Sequence, residues 1–190
     1  MDIAAIIASR ARVDGGLVIV DTFLNHRVDP DLMADIGIQL ASSCDIATGD
    51  IVATVEASGI APAFATASAA GVDFIYAKKT VKPPQGDVVS RAVASTTKGT
   101  TYHVGIRGGA LEGVDRAWIV DDFLSDGHAA LGLALILEEY GVAVAGCRFV
   151  IEKTFRMGRR RLEDAGYHVS SLVAVESVEH GLVLQGSKRA

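Results

Sequence analysis

Short β-branched runs alternate with helical stretches along the chain of 190 residues, and this alternation constrains the fold more than any other feature. A strand, a helix and a second strand in succession are typical of the βαβ unit, whose strands form a parallel sheet covered by helices. The runs at 50–55, 72–77 and 142–151 are rich in valine, isoleucine and alanine, which is typical of strands buried on both faces. The length suits a single α/β domain over residues 1–190, and no internal repeat divides it.

Composition and charge exclude some classes of protein. Mean hydropathy is +0.32, but the longest stretch without an ionisable residue, 57–72, has only 16 residues. A spanning helix needs about 20, so we expect no membrane association. The net charge of −5 offers no basic stripe for nucleic acid. The start at Met1-Asp2 lacks a basic signal segment, so we expect a cytoplasmic protein whose Cys44 and Cys147 stay reduced.

The segment 119–130 carries the strongest chemical signal. A buried run delivers Asp121 and Asp122 to its carboxyl end, and a short loop with Gly127 then leads into a helix. Ligands of open α/β sheets bind at such strand ends, and the free N–H groups of a helix start suit a phosphate. Adjacent acids there can bind ribose hydroxyls or help to hold Mg²⁺. The same pattern also fits solvated loop acids, with Asp126 as a helix cap.

A second candidate anion site is the turn at 56–61, where a strand ends and a helix of small residues begins. Gly59 permits a close approach of the backbone, and such a turn can direct several N–H groups at an anion. An ordinary connection between strand and helix is the alternative. Lys78 and Lys79 follow the next strand and either meet the same anion or are solvated loop residues.

Local signals also bound three helices. Asp2 can cap a short helix that runs through Arg12 and is stopped by Gly15-Gly16. Asp29-Pro30 can cap and begin a helix that runs to about Ser43. The small residues 60–70 predict a helix closed by Gly71.

The segment 78–90 contains lysines, Pro83-Pro84 and a glycine, which predicts a mobile loop. Two extended arms, 88–97 and 100–106, follow on either side of Lys98-Gly99 and predict a hairpin.

The block 119–130 resembles the PRPP-binding motif of type I phosphoribosyltransferases. Three further segments, at 20–30, 56–63 and 150–155, resemble the purine enzymes of that family that use xanthine, and they occur in the family's order. The resemblance implies an α/β fold with a mainly parallel central sheet, flanking helices, a flexible lid and a small hood. The lid would be 80–97, and the hood would come from the N-terminal segment up to about residue 30 and the chain after about residue 150.

The resemblance also implies roles for particular residues. The catalytic acids would be Asp121 and Asp122. The loop that binds PRPP through its 5′-phosphate would comprise Ser125, Asp126, Gly127, His128 and Ala129. Pyrophosphate would be bound by Ala57, Ser58, Gly59, Lys78 and Lys79. Xanthine would contact Val18, Asn25 and Lys153, since an amide both donates and accepts and an ammonium donates to an oxo group.

Two segments depart from the family. The usual phosphate loop reads Ala-Asn-Gly-Gln-Ala, whereas this chain has Ser-Asp-Gly-His-Ala at 125–129. Asp126 can keep the turn, but its charge is unfavourable near a phosphate unless the side chain points away. We therefore expect PRPP affinity to depend more on backbone N–H groups than on Asp126 or His128. The lid sequence matches poorly, so Arg91 and Lys98 are only its candidate contacts.

The activity implied is transfer of the phosphoribosyl group of PRPP to N9 of xanthine, which yields XMP and pyrophosphate. Mg²⁺ would be held mainly through PRPP, with no direct side-chain ligand, and the protein would be a homodimer without nucleic acid. The alternatives are transfer to hypoxanthine or guanine, a plain nucleotide-binding module, and a non-catalytic PRPP-sensing regulator. Such regulators add a DNA-binding module, for which this short acidic chain has neither the room nor the charge.

Overall fold

The computed structural model describes residues 1–94 and 100–186. The helices of this part are α1 (Ile3–Arg10), α2 (Pro30–Ser42), α3 (Ile60–Ala70), α4 (His128–Glu139) and α5 (Gly158–Asp164), with a 3-10 turn at Gly108–Leu111. The strands are β1 (Arg12–Asp14), β2 (Leu17–Ile19), β3 (Ile51–Val55), β4 (Asp73–Thr80), β5 (Val88–Ala94), β6 (Thr101–Arg107), β7 (Arg116–Leu124), β8 (Ala143–Lys153), β9 (Val169–Ser177) and β10 (Val183–Leu184).

Eight strands form one sheet in the order β10-β9-β8-β7-β3-β4-β6-β5. The five central strands β9, β8, β7, β3 and β4 are mutually parallel, while β10 at one edge and the β5–β6 pair at the other are antiparallel. All five residues of β3 are buried, which explains the unbroken apolar run that predicts it. The mainly parallel sheet with flanking helices is confirmed.

Each face of the sheet has its own core. On one face α4 packs through Leu133, Ile136 and Leu137. On the other face α2 and α3 lie together, and the core contains Ile36 and Leu40 of α2. The first residues of the chain join this second core, where α1 and β2 pack with apolar residues of β8, β9 and β10. The N-terminal segment and the strands β9 and β10 thus meet at one side of the sheet, where the hood is expected.

The N-terminal segment differs from the sequence prediction in one element. Asp2 caps α1 as predicted, its carboxylate 3.0 Å from the amide of Ala5. The helix was predicted to continue through Arg12, but it ends at Arg10, and Arg12 begins β1. The pair Gly15-Gly16 adopts φ angles of 53° and 79° in the turn between β1 and β2. The two glycines therefore make a hairpin turn, which allows the chain to reverse, and they do not stop the helix.

Strand β4 is longer than predicted, and the hairpin that follows it lies where it was predicted. The predicted loop from residue 78 is wrong at its start, because β4 continues to Thr80 by antiparallel pairing with β6. The pairing of β5 with β6 confirms the hairpin in its described arms, from Val88↔Arg107 to Ala94↔Thr101. Lys98 lies outside the described residues. None of the described helices has the length and apolar character needed to cross a membrane.

Candidate active site

The acid pair lies near the carboxyl end of β7, in the middle of the sheet. Asp122 is 5% exposed, and its Oδ1 accepts a hydrogen bond of 3.0 Å from the hydroxyl of Ser58. Its backbone N–H donates to Oδ1 of Asp121 at 2.9 Å. Burial raises the pKa of Asp121 well above its ordinary value of 3.8, and the charge of Asp122 adds to this rise while Lys79 opposes it. The site thus holds a carboxylate that lacks full compensation from the protein.

The turn after β3 lies against this acid pair because β3 and β7 are neighbours in the sheet. A Cβ atom at Gly59 would lie 2.2 Å from Oδ1 of Asp121 and 2.2 Å from Oγ1 of Thr54, so only glycine fits. The peptide bond between Glu56 and Ala57 is cis. The carboxylate of Glu56 accepts a 2.8 Å hydrogen bond from the amide of Lys79, which ties the turn to β4.

The loop 125–129, which was predicted to bind phosphate, follows β7 and leads directly into α4. Gly127 has a φ of 73°, a left-handed conformation that favours glycine, and it immediately precedes the first helical residue, His128. Among the described residues, no side chain caps the start of this helix. Its first N–H groups therefore remain available to an anion.

The loop also rests on the start of α5. The amide of Gly158 donates to the carbonyl of Ser125 at 2.9 Å. A guanidinium N–H of Arg161 donates to the backbone carbonyl of Asp126. The carboxylate of Asp126 points toward Arg156, at 4.0 Å. Sequence reasoning missed these arginines because the segment 156–165 predicts no more than a basic helix.

One cavity of about 670 Å³ joins Asp121 of the acid pair to the loop. Its lining includes Asp121, the whole loop from Ser125 to Ala129, and Lys79 from β4. Tyr102 of β6 also lines it, with its ring 5.5 Å from Nζ of Lys79. Burial, and then the charge of Asp121, raise the pKa of Tyr102. Tyr102 was missed from the sequence because it belongs to no motif, and its position depends on the pairing of β6 with β4.

The two candidate lysines separate in the structure. They are adjacent residues of β4, so their side chains point to opposite faces of the sheet. Lys79 enters the cavity beside Asp121, whereas Lys78 lines a separate cavity of about 520 Å³ with Tyr76 and Arg107. The structure therefore brings Lys79, but not Lys78, to the acid pair.

The candidate base-binding residues lie around the hood. Lys153 ends β8, and its Nζ is 5.1 Å from the ring of Phe123, which lines the cavity. Burial lowers the pKa of Lys153, as does the charge of Arg156. Oδ1 of Asn25 is buried and has no hydrogen-bond partner among the described residues, which leaves it available to a ligand. The side chain of Val18 is buried in the apolar core.

The lid candidate Arg91 has a different partner. Its guanidinium forms an ion pair with Glu139 near the end of α4. The described part of the segment predicted to be a lid is thus attached to α4, the helix that follows the loop 125–129.

This sheet, with an acid pair at a central strand end and an anion loop at a helix start, defines the class of type I phosphoribosyltransferases. Adenine phosphoribosyltransferase from Thermoanaerobacter pseudethanolicus superposes with a TM-score of 0.66 at 30% identity, over 77% of this chain and 82% of its own. No family model matches the sequence.

The relatives in sequence identify the family. Xanthine phosphoribosyltransferase 1 of Clostridium botulinum is 43% identical over 165 residues, which cover 86% of this chain and 87% of the relative. Xanthine phosphoribosyltransferase of Streptococcus gordonii is 43% identical over 173 residues, or 90% and 89% of the two chains. The chain therefore belongs to the xanthine phosphoribosyltransferase family, and the resemblance stated from its motifs is confirmed.

Proposed function

We propose that the protein transfers the phosphoribosyl group of PRPP to N9 of xanthine, forming XMP and pyrophosphate. The observation that carries this proposal is the convergence of Asp121, the loop 125–129 and Lys79 on one cavity. The xanthine phosphoribosyltransferases that the chain resembles along 86–90% of its length support the choice of base.

The two anionic ends of PRPP would occupy different parts of the site. The 5′-phosphate suits the loop 125–129, where no described side chain caps the first N–H groups of α4. Pyrophosphate suits the turn formed by Ala57, Ser58 and Gly59, with the ammonium of Lys79 beside it. The ribose between them would then lie over Asp121 and Asp122.

The chemistry at C1′ follows from this placement. The bond from C1′ to the pyrophosphate oxygen breaks, its electron pair leaves with pyrophosphate, and N9 of xanthine supplies the new bond. Positive charge develops on the ribose during this exchange. Burial disfavours the ionised carboxylate of Asp121 in the free protein. The positive charge that develops on the ribose therefore stabilises this carboxylate more in the transition state than in the ground state. The N9 proton needs no dedicated base because xanthine ionises readily.

Mg²⁺ fits this site as an ion that arrives with its substrate. Over residues 1–94 and 100–186, no group of three or more acids, histidines or cysteines is placed to hold a metal. PRPP would supply most of the oxygen ligands, with the adjacent carboxylates of Asp121 and Asp122 close enough to attract the ion. When bound, the ion would neutralise charge on the leaving pyrophosphate.

Base selection would depend on Asn25 and Lys153. Xanthine carries a second oxo group, at C2, which hypoxanthine lacks, so the site must offer a donor there. The amide of Asn25 provides two N–H donors, and its buried Oδ1 can accept from a ring N–H. The ammonium of Lys153 can donate to an oxo group at the other side of the ring.

The test is a product assay with PRPP, Mg²⁺ and each of xanthine, hypoxanthine, guanine and adenine. We expect XMP to form with a kcat/KM at least tenfold above that of any other base. Preference for hypoxanthine or guanine would move the protein to another purine specificity, and binding of PRPP without turnover would favour the regulator.

In Asp122→Asn, Oδ1 can still accept from Ser58, so kcat should fall about 100-fold with little change in thermal unfolding. Unchanged turnover would remove the acid pair from the mechanism.

A homodimer is part of the proposal. Phe64 and Tyr76 are 56% and 40% exposed, and each contacts Phe74, with ring centroids 5.4 and 6.3 Å apart. We assign the subunit contact to this aromatic patch, because exposed apolar patches mark association sites. Light scattering should give twice the chain mass of 19.9 kDa, and Phe64→Glu should give the single chain.

The free thiols of Cys44 and Cys147 suit the cytoplasmic location that we also propose.

A further inference from the structure

Asp126 places a negative charge in the loop that is proposed to bind a phosphate. Its side chain is 14% exposed, and the residue lines the cavity together with Gly127 and His128. The family's loop has a neutral asparagine here. A carboxylate at this position repels the dianionic 5′-phosphate unless another group neutralises it.

Two arginines near the start of α5 contact Asp126 from outside the cavity: Arg156 lies just before the helix and Arg161 lies within it. A guanidinium nitrogen of Arg156 lies 4.0 Å from a carboxylate oxygen of Asp126. Arg161 donates to the backbone carbonyl of the same residue. Among the described residues that line the cavity, Asp126 is present and neither arginine is. The arginines therefore contact the loop without lining the space that PRPP would fill.

We propose that Arg156 and Arg161 are positioning residues that adapt this acidic loop to phosphate. The inference rests on the proposed function and extends it. Arg156 neutralises the Asp126 carboxylate and holds it away from the phosphate. Arg161 acts on the backbone instead, because a charged donor on the carbonyl of residue 126 polarises the peptide whose N–H belongs to Gly127.

The packing of the loop keeps these contacts in register. The amide of Gly158 donates to the carbonyl of Ser125, and an added Cβ at Gly158 would lie 2.3 Å from that oxygen. An added Cβ at Gly127 would lie 3.0 Å from Cα and O of Gly158. The loop and the start of α5 thus touch through two glycines, and neither segment can shift without the other.

A double-mutant cycle separates the two roles. The variants are Arg156→Ala, Asp126→Asn and the pair together, with Kd for PRPP and Mg²⁺ measured by calorimetry. An exposed ion pair of this kind is worth up to about fivefold in an equilibrium constant, so Arg156→Ala should raise Kd about fivefold. In the Asp126→Asn background the same change should have less than a twofold effect, because no charge remains to neutralise.

Arg161→Ala should give a different result. Its partner is a backbone carbonyl, so Kd should rise about fivefold whether residue 126 is aspartate or asparagine. The matched control is Arg160→Ala on the same helix, which removes the same charge from an exposed pair with Asp164. This control should leave Kd within twofold of the wild-type value.

Several outcomes would overturn the proposal. Equal effects of Arg156→Ala in both backgrounds would mean that Arg156 does not act through Asp126. If Arg160→Ala raised Kd as much as Arg161→Ala, both effects would arise from the loss of one positive charge and not from the hydrogen bond to the carbonyl of residue 126. If the arginine variants fail to fold, the Kd of Asp126→Asn for PRPP tests the proposal by itself. The proposal requires this variant to bind PRPP at least as tightly as the wild type, and weaker binding would overturn it. If the wild type binds PRPP but makes no XMP, the proposed function fails while the cycle still tests the loop.

Discussion

Gly59 offers the sharpest test of how the two halves of the site fit together. It has φ −67° and ψ −17°, which alanine adopts without strain, so Gly59→Ala changes only the space that is occupied. The added Cβ would lie 2.2 Å from Oδ1 of Asp121 and 2.2 Å from Oγ1 of Thr54. Ordinary contacts begin at 3.4 Å, so one side must move by about 1 Å.

The cost of this movement can be worked from what surrounds the turn. Thr54 is fully buried in β3, and Asp121 is held by the amide of Asp122. Neither neighbour is the free end of a flexible chain, so the backbone of the turn must shift instead. Overpacking of this kind costs about 1–3 kcal/mol of stability. A displacement of about 1 Å at a reacting centre costs roughly 100-fold in rate.

The assay is XMP formation from PRPP and xanthine, with thermal unfolding measured in parallel. Gly59→Ala should lower kcat/KM about 100-fold while the protein remains folded at 25 °C. The control is Gly109→Ala in the 3-10 turn, where the nearest atom to the new Cβ is 3.8 Å away. If Gly59→Ala keeps more than a third of wild-type kcat/KM, the close fit of the turn against Asp121 is not required for catalysis.

Two further predictions concern charges in the cavity. Lys79→Ala should raise KM for PRPP about tenfold, because the Lys79 ammonium lies in the cavity beside Asp121. Lys78 lies on the opposite face of the sheet, so Lys78→Ala should change this KM less than twofold. Equal changes of KM in steady-state kinetics would contradict the separation of the two lysines. Burial raises the pKa of Asp121 in the folded state, so its contribution to stability is full below its ordinary pKa of 3.8 and is lost as pH rises through the raised value. Asp121→Asn should therefore unfold at a higher temperature than the wild type at pH 8, with a gap that narrows towards pH 4, and a lower melting temperature at pH 8 would refute this reasoning.

Most elements could be predicted from the sequence because local signals mark them. The helix at 60–70 was bounded correctly, since small residues fill it and Gly71 closes it with a φ of 70°. Asp29 caps α2 as predicted and accepts from the amide of Leu32. The extension of β4 through Thr80 was missed, because lysines and prolines favour a loop and only pairing with β6 makes those residues a strand.

The site could be predicted only as separate motifs. The acid pair and the glycine turn are each visible locally, but the bond from Ser58 to Asp122 joins residues 64 positions apart. Nothing in the sequence places Tyr102 under Lys79, because that contact depends on the register of two strands. The roles of Val18, Asn25 and Lys153 stay predictions, carried by the family and by their place around the hood.

Asp126 shows why a departure from a family pattern has to be interpreted with its partners. Taken alone, a carboxylate in a phosphate loop predicts weaker binding, and no neighbouring residue in the sequence compensates its charge. The compensation comes from 30 residues or more along the chain, where Arg156 and Arg161 approach the loop from α5 and the turn before it. Burial and the Arg156 charge also lower the pKa of Lys153, while Asp122 and Asp126 oppose them. A change at residue 126 or 156 should therefore alter the charge balance at the base-binding lysine as well as at the phosphate, so KM for xanthine should respond to both substitutions.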